Sequence, residues 1–248
     1  MAPRRSDARA ARHLTALLAL FDLDGTLFLT HDPLSGRALV ETLEESFAAP
    51  VDPSAPANVE HRGLTAKRIA RNVLHAAGVA DAAIDDRLDR WCRGYAARYL
   101  ALLAEADTSG WTTREGAAAG LARLRAAGVR LALVTGNPEP VARARLERLA
   151  LSPFFPPGGG AFGCEAEDRE TLLALARARA GDWPPDATVE IGDTPEDVAT
   201  AKASGVRSIA VSSPRCDPQE LAGADVVVHD MEGIVRALLD AQSAARGV

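Results

Sequence analysis

Short apolar runs alternate with longer amphipathic segments along most of the chain, and this alternation is clearest beyond residue 115. The apolar runs have the length of buried strands and lie at 17–21, 129–134, 187–191, 206–212 and 225–228. The amphipathic segments predict helices at 115–127, 139–149, 168–180, 195–204 and 231–243. Strands that alternate with helices favour a parallel sheet with right-handed crossovers, so the pattern predicts an α/β fold.

A segment of different texture, 31–112, separates the first strand from the others. It begins with several prolines and continues with two stretches, 64–77 and 82–105, in which apolar residues recur at helical spacing. Its apolar residues do not alternate as those of a strand would. The pattern therefore predicts an inserted all-helical cap domain over 31–112 and a discontinuous α/β catalytic core over 13–30 and 113–248.

The composition is that of an ordinary globular protein, with 248 residues, of which 47% are hydrophobic and 25% are charged. A net charge of −6 argues against nucleic-acid binding, and no apolar stretch approaches the roughly 18 residues of a membrane span. Three widely spaced cysteines favour a reducing compartment and exclude a disulfide scaffold. We therefore expect a cytoplasmic protein whose residues 1–12 form a disordered basic arm.

Two carboxylates and a glycine follow the first strand directly, in the order Asp22-Leu23-Asp24-Gly25. In open parallel sheets, ligands bind outside the carboxyl ends of the strands. Carboxylates this close repel each other unless a cation lies between them, and their oxygens suit a hard divalent ion. The motif therefore predicts a metal site at the end of the first strand.

Three further segments carry polar residues suited to the same edge of the sheet. Thr135 and Gly136 end the second strand, where the start of the next helix presents N–H groups to an anion. Asp193 follows a later strand, and Asp197 lies one turn into the next helix, on the face that looks back at Asp193. Arg169 begins the helix before that strand and offers a guanidinium. Each is ordinary alone, as a turn or a helix cap, but the ordered set is improbable by chance.

This ordered set resembles the motifs of the haloacid dehalogenase-like superfamily of phosphohydrolases, in particular its phosphoglycolate-phosphatase-like members with a helical cap. The resemblance covers essentially the whole chain and implies a Rossmann-like core, Mg²⁺ as cofactor and an aspartyl-phosphate intermediate. It makes Asp22 the nucleophile, and Asp24 the general acid and base that also lends its backbone carbonyl to Mg²⁺. It makes Asp193 a metal ligand, and Asp197 either a further ligand or an acid that contacts the ligands without binding the ion itself.

The same resemblance assigns the phosphate-binding residues. Thr135 holds the phosphoryl oxygens, together with Gly136 and Asn137. The third motif of the family usually supplies a lysine, and Arg169 stands at about that spacing before Asp193. A guanidinium can bind an oxyanion in bidentate fashion, so we expect Arg169 to replace the lysine.

Asp24 separates the chemistries found within the superfamily. Displacement of a halide needs no protonation of the leaving group, and the dehalogenase branch lacks an acid at this position. Phosphonate cleavage in the family uses a cap lysine, and Lys67 lies in the predicted cap, but Asp24 fits that reaction poorly. The second aspartate therefore favours hydrolysis of a phosphate ester.

Three residues of the predicted cap are candidate substrate contacts. His31 lies where the chain enters the cap, and Arg62 and Thr65 precede its first long helix. The alternative for His31 is a hinge position in solvent, and the alternative for Thr65 is an ordinary helix N-cap.

These inferences predict a Mg²⁺-dependent phosphatase acting on a small phosphorylated metabolite, as a monomer or homodimer without nucleic-acid or membrane partners. Two alternatives stay open. A sugar phosphomutase of the same superfamily would return the phosphoryl group to the sugar, and a phosphate-responsive binding module would keep it without turnover.

Overall fold

The computed structural model describes residues 17–54, 61–213 and 216–246. The strands of this part of the chain are β1 (Leu18–Phe21), β2 (Arg130–Thr135), β3 (Ala161–Phe162), β4 (Thr188–Gly192), β5 (Arg207–Val211) and β6 (Val226–Val228). They form a parallel sheet in the order β3-β2-β1-β4-β5-β6. The predicted α/β fold is confirmed, and most strands begin and end close to the predicted residues.

The α-helices of the same residues are α1 (Pro33–Phe47), α2 (Ala66–Ala76), α3 (Asp81–Ala104), α4 (Ala117–Ala126), α5 (Glu139–Arg148), α6 (Arg169–Gly181), α7 (Pro195–Ala203) and α8 (Met231–Arg246). Helices cover both faces of the sheet. Leu121 of α4 and Leu238 of α8 belong to the apolar cluster on one face, and Leu172 of α6 and Ala201 of α7 belong to the cluster on the other.

Strand β1 lies at the centre of the sheet, paired with β2 on one side and β4 on the other. Its last residue, Phe21, is in register with Leu133 and Ile191. All four of its residues are buried, as expected of a strand covered on both faces. The carboxyl ends of β2, β1 and β4 therefore lie side by side.

Helices α1, α2 and α3 enclose an apolar cluster of their own, which includes Leu43, Trp91 and Tyr99. The indole Nε1 of Trp91 donates to the hydroxyl of Thr42 at 3.0 Å, which ties α3 to α1. Val141 of α5 belongs to the same cluster, so these helices pack on the core beside β2. The division of the chain into core and cap at the stated residues stays a prediction.

Helix α1 was not predicted, because the prolines around it are typical of an irregular segment. Pro33 occupies the first turn, where a missing N–H breaks no helical hydrogen bond. Asp32 caps the helix by accepting from the backbone N–H of Leu34 at 3.0 Å. Pro50 and Pro53 follow only after the helix has ended at Phe47.

A disulfide joins Cys92 of α3 to Cys164, which follows β3, with a Cα–Cα distance of 5.9 Å. It links the inserted helices covalently to the core across 72 residues of chain. The odd number and wide spacing of the cysteines led to the expectation of reduced thiols, which is wrong for this pair. Cys216 is buried and unpaired.

None of the helices in the described ranges is both long and apolar enough to cross a membrane. The basic arm predicted at residues 1–12 lies outside the described residues, and the predicted cytoplasmic location stays a prediction.

Candidate functional site

The polar residues that follow β1 and β4 meet at one point. The backbone N–H of Asp22 donates to the carbonyl of Ile191 at 2.9 Å, which holds the first acidic residue beside the end of β4. Gly25 turns the chain with a φ of 88°, and a Cβ built on it would lie 2.0 Å from a carboxylate oxygen of Asp193. Glycine is therefore required here, both for the positive φ and for the close approach of Asp193.

Three buried carboxylates, those of Asp22, Asp193 and Asp197, each offer an oxygen within 4.8 Å of the others. Asp193 is oriented by two hydroxyls, since Thr26 donates to Oδ1 at 3.4 Å and Ser213 to Oδ2 at 2.7 Å. Carboxylate oxygens are ligands that hard divalent cations prefer. The structure thus brings together three of the predicted acidic residues in an arrangement that can hold a metal ion.

Asp197 is fixed by the start of α7. Its carboxylate accepts from the backbone N–H of Thr194 at 3.0 Å and from the hydroxyl of Thr194 at 2.6 Å. The hydroxyl of Thr194 in turn accepts from the backbone N–H of Asp197, which completes a capping box. The local sequence Thr-Pro-Glu-Asp therefore sets the direction from which Asp197 faces Asp193.

The electrostatics of the cluster require a positive charge. Burial raises the pKa of the Asp22 carboxyl well above its ordinary value, and the neighbouring Asp197 raises it further. Arg169 opposes the shift in the pKa of Asp22, whereas Asp193 and Asp24 add to it. Acids crowded in this way take up protons unless a cation neutralises them.

Arg169 supplies one such charge from the first residue of α6. It is 2% exposed, with Nη1 3.7 Å from Asp22 and Nη2 3.4 Å from Glu190. Nη2 also donates to Asp197. Its Nε has no hydrogen-bond partner among the residues that the structure describes. The side chain predicted to replace the family's lysine thus lies beside Asp22.

Glu190 belongs to the site but was not predicted. It lies within β4, and its side chain is buried against Arg169. Burial raises the pKa of Glu190 well above its ordinary value, and Arg169 only partly opposes this shift. A glutamate within an otherwise apolar strand is the signal that the sequence offered, because a carboxylate is seldom buried without a cationic partner.

The carboxylate of Asp24 is not part of the acidic cluster. It accepts from Nη1 of Arg145 at 2.9 Å and 3.0 Å, one distance to each oxygen, and from the side-chain amide of Asn137. Asp22 and Asp24 therefore face different partners, although only Leu23 separates them. One carboxylate faces the other acids, and the second faces a guanidinium.

The residues that follow β2 lie next to Asp24. The amide of Asn137 donates to the hydroxyl of the buried Thr135 at 3.0 Å. The carbonyl of Gly136 accepts from the backbone N–H of Ala66 at 2.8 Å, which ties the start of α2 to this turn. A Cβ on Gly136 would lie 2.1 Å from the carbonyl oxygen of Leu64. The chain just before α2 therefore lies directly on the predicted phosphate-binding turn.

The predicted substrate contacts of the cap are less uniform. Thr65 caps α2, accepting from the N–H of Arg68 at 3.1 Å, and donates to the carbonyl of Glu167 at 3.0 Å. A nitrogen of Arg62 lies 3.6 Å from the carboxylate of Glu220. His31 is exposed. Their contacts with a substrate stay predictions.

Several buried polar residues around the site were missed. Arg114 donates to the carbonyls of Gly25 at 2.7 Å and Thr26 at 2.8 Å, and so stabilises the turn that follows Asp24. Arg145 bridges Asp24 to Asp32. Arg114 and Arg145 gave no local signal, because the carbonyls that Arg114 contacts and the carboxylates that Arg145 contacts are distant in the sequence.

The family of the chain follows from comparison with known proteins. A family model described as haloacid dehalogenase-like hydrolase matches residues 19–202, which is most of the chain. The chain belongs to the haloacid dehalogenase-like hydrolases. A second model of such hydrolases matches residues 169–239. The superfamily resemblance inferred from the motifs is therefore confirmed.

Among the curated relatives of this hydrolase are two phosphoglycolate phosphatases. That of Rhodospirillum rubrum is 36% identical over 195 residues, which are 78% of each chain. That of Caulobacter vibrioides is 30% identical over 224 residues, which are 88% of this chain and 89% of the relative. These matches confirm the predicted enzyme class, a phosphatase of the superfamily.

Two solved structures share the fold of this chain. CbbY from Rhodobacter sphaeroides, solved in complex with phosphate, is 24% identical with a TM-score of 0.63, over 86% of this chain and 94% of that one. The β-phosphoglucomutase of Clostridium difficile is 13% identical with a TM-score of 0.66, over 92% and 98% of the two chains. At these identities the similarity shows the fold alone.

Proposed function

We propose that this protein is a Mg²⁺-dependent phosphatase that hydrolyses a small phosphomonoester through an aspartyl-phosphate on Asp22. The observation that carries the proposal is the convergence of the Asp22, Asp193 and Asp197 carboxylates within 4.8 Å at the carboxyl ends of β1 and β4. A buried nucleophile among potential metal ligands, with Arg169 beside it, has the parts that phosphoryl transfer requires.

The donor set fits Mg²⁺. Side-chain oxygens of Asp22 and Asp193, with the backbone carbonyl of Asp24, would hold the ion, and Asp197 would be a further ligand or would support the others. Burial and the neighbouring Asp197 raise the pKa of Asp22 more than Arg169 lowers it, so additional positive charge would favour the ionised carboxylate. A bound divalent cation would offset carboxylate repulsion and neutralise part of the charge of a phosphate ester.

The two aspartates of the first motif would divide the chemistry. The Asp22 carboxylate attacks phosphorus and forms an acyl phosphate, while the bond from phosphorus to the ester oxygen breaks. Asp24 gives its proton to the departing oxygen. Asp24 then takes a proton from the water that attacks phosphorus, which releases inorganic phosphate and restores Asp22 as a carboxylate.

The phosphoryl oxygens would be bound from two sides. Thr135 and the turn at Gly136 and Asn137 offer hydroxyl and N–H donors at the end of β2. Arg169 offers its guanidinium, whose Nε has no partner among the described residues. Donors fixed in place before the reaction stabilise the charge that develops on these oxygens.

Phosphoglycolate is the leading substrate, because two relatives that align over most of this chain carry the name phosphoglycolate phosphatase. Sugar and nucleoside monophosphates follow as wider classes. The close contact of the Leu64 carbonyl with Gly136 supports a small substrate, because the segment before α2 limits the space over the turn. Arg62, Thr65 and His31 stay candidates for contacts with the remainder of the substrate.

The test is release of inorganic phosphate from 2-phosphoglycolate by purified protein, with Mg²⁺ and with EDTA. We expect turnover with Mg²⁺, loss of turnover in EDTA, and loss in Asp22→Asn with the fold intact by circular dichroism. Asp186→Asn, an exposed residue before β4, is the matched control and should retain activity. Full activity of Asp22→Asn would remove the proposed mechanism.

The same purified protein, incubated with a sugar phosphate as well, distinguishes the remaining alternatives. A phosphomutase would convert a sugar phosphate into its isomer instead of releasing phosphate. A binding module would hold a stable phosphoryl group and show no turnover. Either result would replace the proposed phosphatase activity.

A further inference from the structure

Arg145 is a buried cation that the proposed chemistry does not use. It lies on α5, beyond the phosphate-binding turn, and its side chain is 3% exposed. A guanidinium at this depth needs compensation, and it has two acidic partners that come from different parts of the molecule. Asp24 follows β1 in the core, and Asp32 caps the first inserted helix, α1.

The contacts of Arg145 divide by nitrogen atom. Nη1 faces the core, where it lies 2.9 Å and 3.0 Å from the two oxygens of Asp24 and 2.9 Å from the amide oxygen of Asn137. Nη2 faces the inserted helices, where it donates to Asp32 at 2.7 Å. Nε donates to the hydroxyl of Tyr99 on α3 at 3.0 Å. A single planar group therefore joins the carboxylate of Asp24 to two elements of the cap.

The cap side of this network is itself tied together. The hydroxyl of Tyr99 donates to Asp32 at 2.7 Å, so Arg145, Tyr99 and Asp32 contact one another in a closed triangle. Burial lowers the pKa of Arg145, but Asp24, Tyr99 and Asp32 outweigh this effect and hold its pKa above the ordinary value. The guanidinium is therefore charged, and its orientation depends on where α1 and α3 lie.

We propose that Arg145 is a positioning residue that fixes the orientation of the Asp24 carboxylate for proton transfer and couples that orientation to the docked cap through Asp32 and Tyr99. The inference rests on the proposed function, in which Asp24 protonates the leaving oxygen. If the inserted helices move away from the core, Nη2 and Nε lose their partners, and the plane that holds Asp24 is no longer fixed. Asp24 would then be aligned only when the site is covered.

The test uses leaving groups that differ in their need for a proton. Phenyl phosphate releases a basic phenolate and needs general acid catalysis, whereas 2,4-dinitrophenyl phosphate releases a stable anion and does not. The quantity compared is kcat/KM, which reports the first transfer to the enzyme and not the later hydrolysis. A group that only supports the fold would affect both substrates equally.

For Arg145→Gln we expect kcat/KM to fall by about 10²-fold or more for phenyl phosphate and by less than about tenfold for 2,4-dinitrophenyl phosphate, because proton transfer typically contributes 10²–10⁴-fold. Arg145→Lys keeps the charge but cannot contact Asp24 and Asp32 with one planar group, so its loss should be intermediate. Arg148→Gln, an exposed position on the same helix, should match wild type. Equal losses on both substrates in Arg145→Gln, or no loss, would overturn the proposal.

If Arg145→Gln does not fold, Tyr99→Phe still tests the proposal, because this variant removes one hydroxyl and keeps the ring. We expect a smaller loss than in Arg145→Gln, again confined to phenyl phosphate. A loss that is equal on both substrates, or no loss, would overturn the coupling to the cap.

Asp24→Asn separates failure of the inference from failure of the proposed function. It should reproduce the selective loss on phenyl phosphate. If wild type hydrolyses neither ester, or Asp24→Asn loses activity equally on both, the proposed function fails and the inference falls with it. If Asp24→Asn is selective and the Arg145 variants are not, the inference alone is wrong.

Discussion

Arg169→Met would remove the guanidinium that lies among the buried carboxylates of Asp22, Glu190 and Asp197 and leave their negative charge uncompensated. Its nitrogens lie 3.7 Å from Asp22 and 3.4 Å from Glu190, and all of these side chains are less than 10% exposed. At an effective dielectric constant of about 20, each of these two pairs amounts to about 4–5 kcal/mol of gross attraction. Desolvation offsets much of this attraction in the native protein. Without the guanidinium, each buried acid must either hold its charge without a partner or retain a proton at a pH where the unfolded chain releases it, and both cost free energy.

We therefore expect Arg169→Met to lower the free energy of unfolding by about 3–5 kcal/mol at pH 7.5 in EDTA. The loss should shrink at pH 5, because Asp22 and Glu190, whose pKa values burial raises, then take up protons more readily and become neutral. Arg169→Lys should recover much of the stability, since it restores the charge. Arg179→Met, on the same helix but in an exposed pair with Glu165, should cost no more than about 1 kcal/mol.

The assay is urea unfolding, followed by tryptophan fluorescence and by circular dichroism, at both pH values. Coincident transitions from the two probes are needed before free energies are compared. An Arg169→Met protein within about 1 kcal/mol of wild type at pH 7.5, the range of an exposed ion pair, would refute the reasoning. A loss of the same size at pH 5 would refute the claim that the cost arises from charged carboxylates.

Three further predictions concern stability and the cap. Burial raises the pKa of Glu190, so the folded protein retains a proton that the unfolded chain releases, and the contribution of Glu190 to the free energy of unfolding should fall as pH rises above about 4. In EDTA, the urea midpoints of wild type should therefore decline with pH more steeply than those of Glu190→Gln, and parallel curves would contradict this prediction. Gly136→Ala should lower kcat/KM by about 10²-fold, because the new Cβ would lie 2.1 Å from the Leu64 carbonyl and displace the segment before α2. In the same steady-state assay, Gly159→Ala should keep the kcat/KM of wild type, because a Cβ there makes only ordinary contacts. Reduction of the disulfide should lower the free energy of unfolding by up to about 4 kcal/mol for a loop of 72 residues. The stability of Cys92→Ser should not change with reductant, and an equal change in wild type and Cys92→Ser would show that the disulfide is not the cause.

The strands and the residues that follow them were predictable because they depend on local sequence. A short apolar run that ends in Asp22 or Asp193 indicates both a buried strand and the point where it ends. Parallel topology then places the ends of neighbouring strands at one edge without any knowledge of tertiary contacts. The convergence of these two acids with Asp197 follows from the same local patterns.

The arginine and tyrosine contacts around Asp24 were not predictable in this way. Arg145 is 121 residues from Asp24 and 113 from Asp32 in the chain, and no local pattern marks an arginine on an amphipathic helix as buried. Tyr99 reads as an apolar residue at helical spacing, and its buried hydroxyl bond to Asp32 is invisible in that pattern. Buried polar networks depend on packing between elements, and local patterns in the sequence do not reveal that packing.

Asp22 is the proposed nucleophile, whose carboxylate oxygen attacks phosphorus. Trapping the phosphoenzyme tests this role directly. Asp24→Asn should be phosphorylated by 2,4-dinitrophenyl phosphate, which needs no proton on its leaving group, and should hydrolyse the acyl phosphate slowly because the base is gone. Rapid acid quenching and peptide mass spectrometry should then find one phosphoryl group on the peptide that contains Asp22, removable by hydroxylamine. Turnover of the ester without a phosphorylated Asp22, or a phosphoryl group on another residue, would contradict the account.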